Sequence, residues 1–430
     1  MLAVASCGEE SNDRHFAGDP RTAAADSTLP SNLASPVSIG SPTAVATAMG
    51  TLDLLAPRGS GGIGLVPLRH ELVVVHANPA EGRSIWSDDD RALWSAVADP
   101  TSTLVAALTS DDNSAANWTV EFIPVDGGDI VTVPVGAASG KEHTPDAVAE
   151  GRGGIAWLPD SGSVVVSMPT GGLLQVFPDG SQIKLAKAAI AKRPQAVALS
   201  ADGGAIAFVE QPTGSDGSGI YAGSMRAKPI DPIVVLPPDR SGNRYARDVQ
   251  WIGESDRLAT ILEREELGSP QGDLFFLDVH NPTPQLAWTS PSGRDPASVE
   301  TFSISPDGLV TAFVTNPARS GAGKASSVWV KQTDGPSIER FDLPMKLADP
   351  RIVFSSDGLI VTGLTGRIDD EDGLPAGFLL APNGQIELLH QQAPLATPVA
   401  SPSGSPNASP VASPVASPAS PSPQPVTSGE

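Results

Sequence analysis

Apolar residues in this chain come in short runs broken by tight bends, with no stretch spaced at the helical interval. Phe302–Val314 is the clearest instance: an apolar strand, a bend built from Pro306, Asp307 and Gly308, then a second apolar strand. Ile352–Val361 and Val197–Val209 repeat the plan around Asp357-Gly358 and Asp202-Gly203. Ile155–Gly162, Val249–Asp256 and Ala96–Ala106 are looser copies. Proline presets the dihedral of the first bend position, aspartate bonds to nearby backbone, and glycine accepts a positive φ. An Asp-Gly pair between apolar runs therefore marks a hairpin.

Aligned on the bend, the copies fall at Thr101, Asp160, Asp202, Glu254, Asp307 and Asp357, with gaps between 42 and 59 residues. Two further strands follow each hairpin. They are Gly219–Ala222 and Pro232–Leu236 after Asp202, Ser327–Lys331 and Ile338–Asp342 after Asp307, and Gly377–Leu380 and Gln385–Leu389 after Asp357. Four strands per repeat at this period describe a propeller blade. Runs such as Val164–Val166 are apolar without alternation, as expected of sheets covered on both faces. Six blades fill 93–390, and Leu52–Leu55, Ile63–Leu68, Leu72–Val75 and Arg83–Trp86 supply one more. The expectation is an all-β chain: a seven-bladed β-propeller of four-stranded antiparallel blades over 51–392, with six blades as the alternative.

The Ser-Pro-Asp-Gly bend at 305–308, with its variants at 200–203 and 355–358, resembles the TolB-like and WD-repeat-like bacterial propellers. The resemblance spans the repeat array and implies the fold. It also implies a binding platform, since members of this broad group mostly act as one.

The flanks differ in composition. Residues 8–50 are rich in Ser, Ala, Asp, Pro and Thr, and 393–430 repeat Ala-Ser-Pro, so both are read as disordered. Val4-Ala5-Ser6-Cys7 resembles a bacterial lipobox, which makes 1–7 a truncated lipoprotein signal and Cys7 the lipidated residue. An extracytoplasmic, lipid-anchored protein follows, with 8–50 as tether. Cys7 is the one cysteine, so no internal disulfide forms. No run of 18 apolar residues occurs, leaving a lipid anchor as the membrane attachment. A net charge of −22 opposes binding to nucleic acid and to anionic lipid.

Several local patterns carry little chemistry. Gly59–Gly64 matches the letters of a dinucleotide loop, but strands follow it where a helix is required. The six histidines show no metal-ligand spacing, and His70 and His143 fall in loops on one face. Asp369–Gly373 and Asp88–Asp90 read as solvated acidic loops. No cofactor, metal or catalytic residue is expected.

Arginine placement stands out in so acidic a chain. Arg91, Arg152, Arg193, Arg244, Arg247, Arg294 and Arg351 lie where the chain enters the inner strands, with Tyr245 among them. In a propeller those segments gather at one mouth of the channel, so these eight residues form a candidate ligand-binding rim. Its planar forks suit a carboxylate-bearing glycan or protein. Adjacent acids at Asp90, Asp248 and Asp295 offer local pairing instead. The expected function is that of a non-enzymatic, monomeric binding propeller. The alternatives are a propeller hydrolase or lactonase with a channel metal and a structural part of an envelope assembly.

Overall fold

The computed structural model describes residues 54, 62–111, 117–136, 154–168, 171–187, 194–210, 217–239, 244–266, 269–290, 296–317, 325–365 and 373–391. Both tails, including Cys7, lie outside the described residues. Strands β1 (Gly64–Pro67), β2 (Glu71–His76) and β3 (Glu81–Ser87) make blade 1. Blade 2 holds β4 (Arg91–Ala98), β5 (Leu104–Asp111), β6 (Trp118–Pro124) and β7 (Val131–Gly136). Blade 3 holds β8 (Ile155–Trp157), β9 (Val164–Ser167), β10 (Leu173–Val176) and β11 (Gln182–Ala186). Blade 4 holds β12 (Pro194–Leu199), β13 (Ala205–Glu210), β14 (Gly219–Ser224) and β15 (Ile233–Leu236). Blade 5 holds β16 (Arg244–Trp251), β17 (Arg257–Glu266), β18 (Ser269–Asp278) and β19 (Asn281–Trp288). Blade 6 holds β20 (Ala297–Ile304), β21 (Val310–Pro317), β22 (Ser327–Gln332) and β23 (Ile338–Asp342). Blade 7 holds β24 (Ala348–Ser355), β25 (Gly358–Thr365), β26 (Leu374–Leu380) and β27 (Ile386–Gln391).

Each blade is an antiparallel meander of consecutive strands, and the seven sheets form a seven-bladed β-propeller. Six sheets have four strands; in blade 1 three are described. β3 runs straight into β4 through Asp88–Asp90, so β1–β3 stand in the second to fourth positions of their blade. These are the last three strands expected for it. Of the expected first strand, Leu52–Leu55, only Leu54 is described, and it is helical, not extended, and buried among residues of blades 6 and 7.

The core is divided among the wedges between blades, and strand alternation explains how. In β13, Ile206 and Phe208 pack towards blade 3. Ala207 and Val209 of the same strand pack towards blade 5. In β5, Val105 and Ala107 join blade 1, and Ala106 and Leu108 join blade 3. A period of two with both faces apolar produces the unbroken runs seen in the sequence. Ring closure between blades 7 and 1 uses the same device: Val66, Val73 and Val75 meet Ile360, Leu379 and Leu389. Each blade's strands are consecutive in sequence, so side-chain packing closes this seam.

The bends show a role for serine beside those of Pro, Asp and Gly. Ser305 Oγ donates to Asp307 Oδ1 at 2.5 Å and accepts from Val310 N at 2.9 Å. Ser200 does the same with Asp202 and Ala205, at 2.6 and 2.9 Å. Blade 2 places Asp99 where the serine stands, and its carboxylate accepts from Thr103 N and Leu104 N at 2.7 and 2.9 Å. Burial acts to raise the Asp99 pKa, but hydrogen bonds from Leu104, Thr101 and Thr103 outweigh it and hold the carboxyl below its ordinary value.

Bends of adjacent blades also touch. Gly308 has φ +72°, and a Cβ there would lie 3.0 Å from the Cα of Gly253. Gly180 has φ +88°, but a Cβ there would meet nothing within 4 Å. Gly180→Ala should therefore cost the left-handed penalty alone, about 1 kcal/mol. Gly308→Ala adds a steric term and should cost about 2–3 kcal/mol, read as a lower urea midpoint. Equal losses in the two variants would show that the bends do not bear on each other.

Candidate functional site: the loop face and the channel

Topology sorts the connections onto two faces. Hairpins joining first to second strands, and third to fourth strands, lie on one side, called here the turn face. They are mostly short, such as Leu199 to Ala205 and Ser355 to Gly358. The connections from second to third strands, and from each blade to the next, lie on the other side, the loop face. They include the longest in the ring: Gly136 to Ile155, Pro317 to Ser327 and Thr365 to Leu374. Loops carried on a rigid scaffold are where recognition residues concentrate.

The described residues among the sequence-derived rim candidates belong to inner strands. Arg91 opens β4, Arg244 opens β16 followed by Tyr245 and Arg247, and Arg351 is in β24. Arg152, Arg193 and Arg294 belong to the connections into β8, β12 and β20 and lie outside the described residues, as does the side chain of Arg244. Tyr245 is half-buried opposite Glu263.

Arg91 and Arg247 turn into the wedges. Arg91 Nη2 donates to Thr119 Oγ1 at 2.6 Å and Thr109 Oγ1 at 2.9 Å, and Nε lies 3.4 Å from Glu121 Oε1. Glu121 is buried, and it also accepts from Trp86 Nε1 of blade 1 at 2.5 Å and Thr109 Oγ1 at 2.9 Å. Arg247 repeats the arrangement between blades 5 and 6. Its Nη1 is 2.5 Å from Glu263 and 3.6 Å from Glu300, and Nη2 donates to the carbonyls of Val299 and Glu300, both at 2.6 Å. Arg247 thus staples blade 5 to blade 6, whereas Arg91 holds Glu121 within blade 2 and Glu121 reaches blade 1 through Trp86.

Arg351 faces the channel. Its Nη1 donates to the Ala96 carbonyl of blade 2 at 3.2 Å, spanning the width of blade 1. The cavity there measures about 280 Å³, and its polar lining comes from Asp248, Gln250, Thr301, Arg351 and Thr362. Gln250 bridges to blade 6, donating to Phe302 O at 3.0 Å and accepting from Ile304 N at 3.2 Å. Thr362 Oγ1 donates to Leu65 O at 2.7 Å and so caps the inner edge of β1.

Other sequence candidates have ordinary settings. His70 Nδ1 donates to the Arg91 carbonyl at 2.9 Å. His143 and Asp369–Asp372 lie outside the described residues. Among the described residues no group of His, Cys, Asp or Glu is arranged to hold a metal ion, and no helix is long and apolar enough to cross a membrane. Sequence reading missed Glu121, although a lone charge in the apolar strand Trp118–Pro124 was its signal.

The chain belongs to the class of seven-bladed β-propellers. No family model matches the sequence, and no curated protein matches it. Solved structures share its fold at low identity. Oligogalacturonate lyase in complex with manganese aligns with a TM-score of 0.50 and 9% identity, over 76% of this chain and 85% of that one. Puromycin hydrolase aligns at 0.49 and 12%, over 82% of this chain and 57% of its own. TolB from Acinetobacter baumannii aligns at 0.41 and 13%, over 76% and 78%.

Removing one partner of a buried ion pair strands the other. Arg91→Met should cost about 3 kcal/mol in urea unfolding, because Glu121 is left buried without its cation. Pairing it with Glu121→Gln should restore part of the loss. A double variant as weak as the sum of the two singles would refute the pairing.

Proposed function

We propose that this chain is a non-enzymatic binding propeller that engages an anionic partner, an acidic glycan or a carboxylate-rich protein segment, through its loop face. The observation that carries the reading is the division of labour between faces. The turn face is built from short bends bonded to themselves, whereas the loop face holds the longest connections and the cationic entries to the inner strands. With Arg91 and Arg247 committed to the wedges, Arg152, Arg193 and Arg294 are the recognition cations in this reading, joined by Arg244 and by Arg351 at the channel. Guanidinium forks bind carboxylates with two parallel hydrogen bonds, which suits these cations to a carboxylate-bearing partner. Cys7 carries a lipid, and 8–50 tether the propeller to an extracytoplasmic membrane surface.

Alginate and poly-glutamate serve as carboxylate probes in surface-plasmon measurements. Replacing Arg152, Arg193 and Arg294 together by Glu should weaken binding at least about tenfold and leave the circular dichroism spectrum unchanged. Affinity that survives the triple replacement ends the proposal.

A further inference from the structure

A groove of about 630 Å³ opens on the turn face between blades 4 and 5. Its apolar wall includes Ala205, Ala222, Ile233, Trp251 and Val279, and its rim carries Asp231, Glu254 and Asp256. Two features of the chain create it. The connection from β14 to β15 leans away, towards blade 3: Ile230 is buried beside Leu173 and Leu185 and donates its N–H to Leu185 O at 2.8 Å. The walls themselves are lined by small side chains at positions that are large in the next blade.

Register makes that comparison direct. Ala259 pairs with Phe276 in blade 5, and Ala207 pairs with Ala222 in blade 4, so Ala222 is the counterpart of Phe276. By the same alignment Ala205 replaces Arg257, the residue that opens β17 as Ala205 opens β13. Between blades 5 and 6 the protein fills the cleft itself. Arg257 lies 5.5 Å over the Phe276 ring, Lys331 lies 6.0 Å from it, and Arg257 pairs with Asp334 at 2.6 Å. Between blades 4 and 5 the apolar platform and the carboxylates are present, but the chain's own cation and aromatic ring are replaced by alanines. Ile233, at the outer end, is 49% exposed.

We infer that this groove docks an extended segment of a partner protein that carries a lysine or arginine beside an apolar side chain. The apolar side chain rests on Ala205, Ala222 and Ile233. The cation meets Glu254 and Asp256 on the blade 5 side of the groove. The charge balance favours such a segment: Asp202, Asp231, Glu254 and Asp256 face Arg226 and His280, and His280 is itself 3.6 Å from Asp256. This docking surface lies on the face opposite the proposed anion-binding loops and does not depend on them.

The test uses a fluorescein-labelled peptide alternating lysine and leucine, with a glutamate–leucine peptide as its mirror in charge, titrated with the full chain. The lysine peptide should bind and the glutamate peptide should not. Glu254→Gln with Asp256→Asn should weaken binding at least about tenfold. Ala205→Arg, which restores the cation of the next wedge, should block it to a similar degree. Asp126→Asn with Asp129→Asn, exposed acids on the same face of blade 2, should leave it unchanged. Equal weakening in the blade 2 variant would mean diffuse attraction to an acidic face and would overturn the proposal. So would binding that survives both groove variants, or no binding of the lysine peptide.

Discussion

Every sheet of this protein is apolar on both faces, and that constraint governs the rest. A blade alone would expose both apolar faces to water, so each is stable only between two others, and the arrangement that leaves no blade uncovered is a closed ring. Inner strands reinforce the packing with hydrogen bonds from blade to blade. Trp157 Nε1 donates to Val97 O at 2.9 Å, and Trp251 Nε1 donates to Ala198 O at 3.3 Å, each reaching one blade back along the ring. These are the shared tryptophan positions of the repeat, and they hold the strand ends that frame the channel.

Charge is arranged on the same principle. Arginines meet carboxylates in the wedges, as Arg91 meets Glu121 and Arg247 meets Glu263 and Glu300. Burying an unpaired carboxylate is costly, so these arginines belong to the scaffold before they belong to any ligand. Acids of the bends, such as Asp99, Asp202 and Asp307, bond to backbone N–H groups instead. The loop face holds the long connections and the cationic entries to the inner strands, alongside the acidic stretches Asp88–Asp90 and Asp369–Asp372, and the proposed recognition rests on those cations. The gap between blades 4 and 5 departs from the pattern in the opposite direction, with acids and an apolar floor but alanine where the next wedge places Arg257.

The fold was legible because its information is local. Asp307-Gly308 and its copies mark hairpins by turn chemistry, and their spacing marks blades. The three described strands of blade 1 were readable from Ile63–Leu68, Leu72–Val75 and Arg83–Trp86 although that repeat has no Asp-Gly bend. The wedge partners of Arg91 and Arg247 were not legible, because Glu121 and Glu300 reach them through strand register and blade packing. The groove was hidden for a related reason: it is defined by Ala205 and Ala222 being small, and that acquires meaning only when blade 4 is laid over blade 5. Serine's part in the bend was visible as a letter but needed geometry to show that it bonds both the aspartate and the next strand.

The claim that the loop face is the recognition surface is tested most directly by hydrogen–deuterium exchange of the full chain with and without bound alginate. The account predicts slowed exchange in 137–153, 188–193 and 289–296, the connections into blades 3, 4 and 6, with the bends around Asp202, Asp307 and Asp357 unaffected. Protection confined to those bends, or to the outer strands, would contradict it.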